Sequence, residues 1–167
     1  MPHLVVPRTS VAPSAREAAR SAGWDDHPTY TAVAGLTDAE LVDWVEALIT
    51  DSREHAPRPA GFVPSTNLWW IDQDAYLGRV QIRHRLTAHL RDEGGHIGYH
   101  VVAAHRRRGH ATAMLAAALP VARALGVECA LVTCDVDNIG SRRTIAANGG
   151  LLHDQRGGTL RFWVPTG

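Results

Sequence analysis

Residues 95–134 combine a strand, a turn rich in arginine and glycine, a helix and a second strand, and this order constrains the fold most. Gly95–Val102 alternates as a strand does, and Gly109–Leu125 has helical periodicity. Val127–Cys134 is apolar on both faces apart from Glu128, as expected of a strand that is covered on two sides. The pattern predicts a strand-helix-strand crossover in the middle of a sheet.

The remaining patterns predict further helices and strands on both sides of this unit. Ser14–Ala22 indicates a helix with Ser14 as its cap and Gly23 as its stop, and Thr37–Glu40 fits a capping box. The other predicted elements are the strands Leu4–Val6, Asn67–Ile71 and Tyr76–Arg85, the connector Leu86–Asp92, the helix Asn138–Asn148, and the hairpin strands Leu151–Gln155 and Thr159–Val164. We therefore predict one domain over residues 1–167, of the α+β or mixed α/β class, with a largely antiparallel sheet.

Composition excludes several classes of protein. All 17 basic residues are arginine, so lysine Schiff bases and phosphate-loop lysines are excluded, and 17 acidic residues balance the charge. That balance predicts neither a nucleic-acid partner nor a membrane partner. Cys129 and Cys134 are an odd number of positions apart on one predicted strand, so their side chains should not pair. With no signal-peptide pattern at the N-terminus, we expect a cytoplasmic protein.

The turn HRRRGHATAML, residues 105–115, places three arginines directly before a helix. The first amides of a helix lack partners within it and carry partial positive charge, so phosphate oxygens are natural ligands there. Gly109 would let the backbone approach such a ligand, and Ala111 would let the first turn pack tightly. A solvated charge cluster is the alternative, because the pattern R-x-x-G-x-A is short.

The position of this pattern supports the phosphate interpretation. Arg106, Gly109 and Ala111 follow one strand, and the next strand ends in Thr133–Asn138, where Asn138 caps a helix. This arrangement, over residues 65–165, resembles the GCN5-related N-acetyltransferase (GNAT) superfamily. The segments VPSTNLWW and CDVDNIGSRRTIAANGG are similar to a subgroup of predicted acetyltransferases of unknown acceptor. The resemblance implies acetyl-CoA as co-substrate and a seven-stranded, mostly antiparallel mixed sheet with about four flanking helices and splayed fourth and fifth strands.

The resemblance also implies a set of donor-binding residues. The main chain of Val101 and its neighbours Tyr99 and His100 would bond the pantetheine amides, as an added strand would. Asn138 would reach the pantetheine with Ser141 one turn away, although Asn138 could also be a plain helix cap. The pyrophosphate would be held by Arg106, Arg107, Arg108, Gly109, His110, Ala111 and Thr112.

Transfer to an amine requires a base, because an amine with a pKa near 10.4 is protonated at neutral pH and cannot attack a thioester. Glu93 and His96 lie at the entrance of the fourth strand, and Asp135 lies at the exit of the fifth. Alternation puts Glu93 on the side of Tyr99 and Val101 and His96 on the side of His100, so we prefer Glu93, with His96 second because a bulge would reverse the alternation. Many members of the superfamily have a tyrosine that protonates the thiolate, where this chain has Ile145. Tyr99, solvent or no dedicated acid remain open.

The acceptor is predicted only as a class, a small-molecule amine rather than a protein terminus. Trp69, Trp70 and Tyr30, with the acidic pair Asp25 and Asp26, could line a pocket for a cationic molecule, or could equally be core aromatics and a solvated turn. The superfamily suggests a possible homodimer.

Two other functions stay open. One is an acyl-CoA sensor or regulatory module without chemistry, which the absent tyrosine favours. The other is a metal-binding protein that uses His96, His100, His105 and His110, but the first two lie too far apart on a strand for one zinc ion and no metal motif supports them. We therefore expect no metal.

Overall fold

The computed structural model describes residues 1–21, 27 and 29–167. The strands are β1 His3–Val5, β2 Ser65–Asp72, β3 Ala75–Arg83, β4 Ile97–Val101, β5 Cys129–Asp135, β6 Leu151–Arg156 and β7 Thr159–Pro165. The helices are α1 Ala12–Ala19, α2 Asp38–Thr50, α3 Ala88–Asp92, α4 His110–Ala124 and α5 Ile139–Ala147, and short 3-10 helices cover Val33–Gly35 and Ala103–His105. The predicted strand-helix-strand unit is therefore β4, α4 and β5.

The seven strands form two antiparallel sheets, ordered β1-β2-β3-β4 and β5-β7-β6. The predicted mixed α/β class and the seven strands are confirmed, but the expected single sheet is divided between β4 and β5. The described residues contain five α-helices where about four were expected. The difference is α3, which lies within the predicted connector and is capped by the Thr87 hydroxyl.

Two apolar cores cover the two faces of the four-stranded sheet, because alternate residues of a strand point to opposite sides. On one face Leu68 and Trp70 of β2 pack with α4 and with β5 and β7. On the other face Trp69 and Ile71 pack with α1 and α2. Cys129 and Cys134 are both free, as their spacing on one strand predicted. No helix within the described ranges is long and apolar enough to cross a bilayer.

The two predicted helix starts in the first half had different outcomes. The capping box before α2 is confirmed, since Thr37 and Glu40 bond each other's backbone amides. The prediction that Ser14 caps the first helix is wrong, because α1 begins at Ala12 and the Ser14 hydroxyl accepts a bond from the Tyr76 amide at 2.9 Å. The predicted stop at Gly23 lies outside the described residues.

The two sheets meet at the start of β4, and this junction positions the site. The His96 amide donates to the Leu131 carbonyl at 2.7 Å, and the Leu131 amide donates to Nδ1 of His96 at 2.9 Å. Gly95 has φ 62°, and a Cβ there would lie 2.3 Å from the Leu131 carbonyl oxygen. Beyond this point no ladder joins β4 to β5 in the described residues, so the strands separate as the resemblance implied.

Candidate functional site

A large cavity of about 900 Å³ lies where β4 and β5 separate. Its walls are the end of β4, the turn before α4 and the first turns of α5. The cavity brings together every residue predicted to bind the donor except Arg108: Tyr99, His100, Val101, Arg106, Arg107, Gly109, His110, Ala111, Thr112, Asn138 and Ser141. Residues that are distant in sequence therefore share one concave surface.

The N-terminus of α4 faces this cavity without a side-chain cap or a first-turn acid. The Ala113 amide donates to the Gly109 carbonyl at 3.0 Å, so the amides of His110, Ala111 and Thr112 precede the first helical hydrogen bond. The N-terminus of α2 is different, because the capping box and two acidic residues satisfy it. Of these two helix ends, the one of α4 is therefore suited to an external anion.

The turn before α4 contains two residues in the left-handed conformation. Gly109 has φ 81°, and Arg107 has φ 63°, which is rare for a residue with a side chain. The left-handed conformation costs about 1–2 kcal/mol at Arg107 but little at Gly109, and turns of this kind form concave anion-binding arrangements of amides. The strained turn is thus one that a phosphate group would occupy favourably.

Arg106 folds back onto β4. Its Nε donates to the Val101 carbonyl at 2.9 Å, and its Nη2 lies 3.1 Å from Nε2 of His100. The Arg106 side chain therefore holds the turn against the strand end. The Val101 carbonyl already accepts one hydrogen bond, so further main-chain recognition there would use its second lone pair.

Asn138 and Ser141 connect α5 to the strand gap. The Asn138 side-chain oxygen accepts from the Ser141 amide at 3.0 Å, so Asn138 is a helix cap as well as a cavity residue. The Ser141 hydroxyl lies 2.6 Å from the Tyr99 hydroxyl, across the gap between α5 and β4. Burial raises the pKa of Tyr99 to about 12, so its phenol stays protonated at neutral pH.

A second cavity of about 290 Å³ adjoins the first, and both are lined by Tyr99, Asn138 and Ser141. Glu93 and Asp135 contribute carboxylates to the second cavity. Its other walls come from β3, β4, β5 and the start of β7. The two cavities therefore meet at one group of polar side chains.

The sequence of this chain matches a known domain family over most of its length. The model of the acetyltransferase (GNAT) domain matches residues 13–150. The chain belongs to the GNAT family. It is an acetyl-CoA-dependent acetyltransferase. No curated protein sequence matches it significantly.

Solved structures show the same GNAT fold at low sequence identity. RimL, a ribosomal L7/L12 alpha-N-protein acetyltransferase in complex with coenzyme A, has a TM-score of 0.68 at 15% identity, over 98% of this chain and 93% of that one. Mycobacterium smegmatis RimJ, in complex with a CoA disulfide, has a TM-score of 0.68 at 16% identity, over 98% and 81%. A chimera of the Vibrio cholerae spermidine N-acetyltransferase SpeG with hSSAT has a TM-score of 0.64 at 12% identity, over 99% and 95%.

His96 lies at the junction of this GNAT fold and not on the wall of either cavity described above. Burial, together with the charges of Arg91 and Arg83, lowers the pKa of His96 to about 4. The ring is therefore neutral at neutral pH. Nδ1 accepts a hydrogen bond from the Leu131 amide, so the proton of the neutral ring is on Nε2. Nδ1 could accept a further proton only if this hydrogen bond were broken, and Nε2 is already protonated.

The aromatic residues considered for an acceptor pocket lie in the cores. Trp69, Trp70 and Tyr30 are 0%, 5% and 1% exposed, and Nε1 of Trp70 donates to Nδ1 of His110 at 3.2 Å. Ile145, at the position where many GNAT proteins have tyrosine, is completely buried. Asp25 and Asp26 lie outside the described residues.

Sequence reasoning missed part of the donor-cavity wall on α5. Gly140, Arg143, Thr144 and Ala147 line the cavity as well. Their spacing is that of one helix face, so helical periodicity counted from Gly140 would group them, although nothing in the pattern marks that face as a cavity wall. Among the described residues, no group of three or more His, Cys, Asp or Glu side chains is arranged to hold a metal ion.

Proposed function

We propose that the protein transfers the acetyl group of acetyl-CoA to a primary amine of a small molecule, by direct attack in a ternary complex. The observation that carries this proposal is the pair of cavities that meet at Tyr99, Asn138 and Ser141. One cavity, at about 900 Å³, suits a large cofactor, and the other, at about 290 Å³, suits a small acceptor. Two substrates bound in this way would meet at the shared residues.

The residues of the large cavity fit coenzyme A. The uncapped amides at the start of α4 and the Arg107 charge would hold the pyrophosphate. The edge of β4 that faces away from β3, at Tyr99 and Val101, would bond the pantetheine amides, and Asn138 and Ser141 line the same cavity. The main chain of His100 pairs with Arg79, so His100 would contribute its side chain. Bound acetyl-CoA supplies an activated thioester for attack by the amine.

Glu93 is the base that the geometry favours. Its side chain is exposed and lines the small cavity, so it can take a proton from an acceptor amine and pass it to solvent. Asp135 lines the same cavity and is the alternative carboxylate. His96 is less suitable because its Nδ1 accepts a hydrogen bond from the Leu131 amide and its Nε2 carries the proton, and because it lines neither cavity.

Tyr99 is the group best placed to stabilise the departing thiolate. A phenol with a pKa of about 12 cannot give its proton completely to a thiolate of pKa about 8.5, but it can donate a hydrogen bond. Cys134 also lines the small cavity, and burial raises the pKa of its thiol, which therefore stays protonated. A protonated thiol is a poor nucleophile, and this supports direct attack over an acetyl-cysteine intermediate.

The similar solved structures include acetyltransferases of both acceptor types, proteins and small molecules. RimL is a ribosomal-protein acetyltransferase, whereas SpeG is a spermidine acetyltransferase. The volume of the small cavity supports a small molecule for this chain. A homodimer and a cytoplasmic location remain predictions.

Two measurements test this function. Calorimetry should detect coenzyme A binding to the folded protein, and thiol release from acetyl-CoA should increase when amines are added. Absence of coenzyme A binding would contradict the proposal. Binding without turnover on any amine, terminus or polyamine would instead indicate an acyl-CoA sensor, the alternative that Ile145 raised because it replaces the usual tyrosine.

A further inference from the structure

Arg83, the last residue of β3, contributes a half-buried guanidinium to the wall of the small cavity. Its Nη1 donates to the carbonyls of Gly94 and Gly95 at 2.9 and 3.2 Å. Among the described residues it makes no ion pair, and Nη2 and Nε have no protein acceptor. Arg85, two residues later, makes a two-point pair with Glu54 at 2.8 Å and is exposed.

The environment of Arg83 disfavours an isolated positive charge. Burial, and then the charge of Arg79, lower the pKa of Arg83 to about 10, so the guanidinium is still charged at neutral pH. A partly desolvated cation without a counter-charge is costly, and an anion bound in the cavity would offset that cost. Two free donors of a planar guanidinium match the two oxygens of a carboxylate.

The small cavity is also lined by acidic side chains. Glu93 and Asp135 line it, and neither makes an ion pair with Arg83 in the described structure. A ligand with one anionic and one cationic group could pair with Arg83 through the first and with Glu93 or Asp135 through the second. A simple diamine would leave the Arg83 guanidinium without a counter-charge. The volume of about 290 Å³ limits such a ligand to a small molecule.

We propose that the acceptor is a small zwitterion, a free α-amino acid or a similar aminocarboxylate, whose carboxylate binds Arg83 and whose amine lies beside Glu93. This inference rests on the proposed acetyl transfer and names its substrate class. In the reaction the amine nitrogen forms a bond to the acetyl carbon while the C–S bond breaks. Before attack, the ammonium group gives one proton to Glu93, which passes it to solvent. After attack, the nitrogen loses a second proton to Glu93, coenzyme A leaves as a thiolate that solvent protonates, and the product is an N-acetylamino acid.

The first test compares each common α-amino acid with its carboxamide, which keeps the amine and removes the negative charge. With the wild-type protein, kcat/KM for the best amino acid should exceed that for its amide by roughly 30-fold, as expected for loss of one partner of a desolvated charge pair. Spermidine and a short peptide with a free N-terminus serve as the rival acceptors. Equal rates for acid and amide, or better rates for either rival, would overturn the inference.

The second test uses Arg83→Gln, Arg83→Lys and the control Arg85→Gln. Arg83→Gln should raise KM for the amino acid roughly 30-fold while KM for its amide changes little, and Arg83→Lys should recover part of the loss. Arg85→Gln should leave both values unchanged, because that side chain lies on the surface. An equal effect of Arg83→Gln on acid and amide would show a structural role only and would contradict the inference.

Coenzyme A calorimetry on every variant separates this inference from the proposed function. Loss of coenzyme A binding in the wild-type protein would remove both proposals. Normal binding with no acetylated amino acid, and no thermal stabilisation of the coenzyme A complex by an amino acid over its amide, would overturn only the acceptor class.

Discussion

The two cavities of this acetyltransferase are built from different parts of the polypeptide. The large cavity is formed by a strand edge, a turn with two left-handed residues and an uncapped helix end, so main-chain amides contribute to it beside polar side chains. The small cavity is lined by the side chains of Arg83, Glu93, Cys134 and Asp135. Main-chain recognition depends on backbone shape and tolerates changes of sequence, whereas side-chain recognition changes with a single substitution. The donor is therefore a property of the fold, and the acceptor is a property of this chain.

The largest expected effect falls on the small cavity. Glu93→Gln keeps the size of the side chain but removes the base, and we expect kcat to fall about 1000-fold at neutral pH with coenzyme A affinity unchanged. Glu128→Gln is the control, because Glu128 is exposed and lies outside both cavities. Steady-state kinetics with a fixed amine gives the result. Normal turnover of Glu93→Gln would transfer the role of base to Asp135.

A substitution in the large cavity should instead lower the affinity for coenzyme A. Gly109→Val places a branched side chain at φ 81°, where no protein atom lies within 4 Å and the cavity opens, so coenzyme A affinity should fall about 100-fold, or roughly 3 kcal/mol. Gly126→Val is a matched control, since Gly126 follows the other end of α4, has φ 86° and is equally open. Both variants should lose similar stability, and calorimetry should separate them. Equal affinities would disprove phosphate binding at this turn.

The same contrast explains what the sequence could predict. The donor cavity comes from two continuous segments, so a short pattern around Gly109 and a cap at Asn138 were enough to find most of it. The small cavity collects residues from four strands, and no local sequence pattern indicates that Arg83 and Glu93 line the same cavity. Tertiary packing decides such pairs.

The glycines before β4 interrupt the alternation on which the choice between the candidate bases was based. Alternation from Glu93 to Tyr99 assumed one continuous strand. Gly94 and Gly95 have φ values of 100° and 62°, and β4 begins only at Ile97. A turn of this kind resets the direction of the side chains, so parity could not predict the position of Glu93 or of His96.

Tyr99 lines both cavities, so a substitution there should affect the transfer step and not the binding of either substrate alone. Tyr99→Phe removes the hydroxyl that lies 2.6 Å from the Ser141 hydroxyl, and we expect kcat to fall about 10-fold with KM for both substrates nearly unchanged. Since the pKa of Tyr99 is about 12, the wild-type enzyme should show no loss of rate from this group below about pH 11. Single-turnover kinetics isolates the chemical step. A change confined to coenzyme A affinity would place Tyr99 among the donor-binding residues only.

The smallest expected effect concerns His96, which joins the two sheets between the cavities. Its pKa is about 4 in the folded protein and about 6.5 when unfolded, so the unfolded chain binds the extra proton first as the pH falls. The stability from His96 is therefore complete above about pH 6.5 and declines towards pH 4, by about 2 kcal/mol. Urea unfolding at both pH values should show a smaller decline in His96→Asn, whose side-chain oxygen can still accept the Leu131 amide. An equal decline would assign the pH dependence to other groups and would leave the junction independent of His96 protonation.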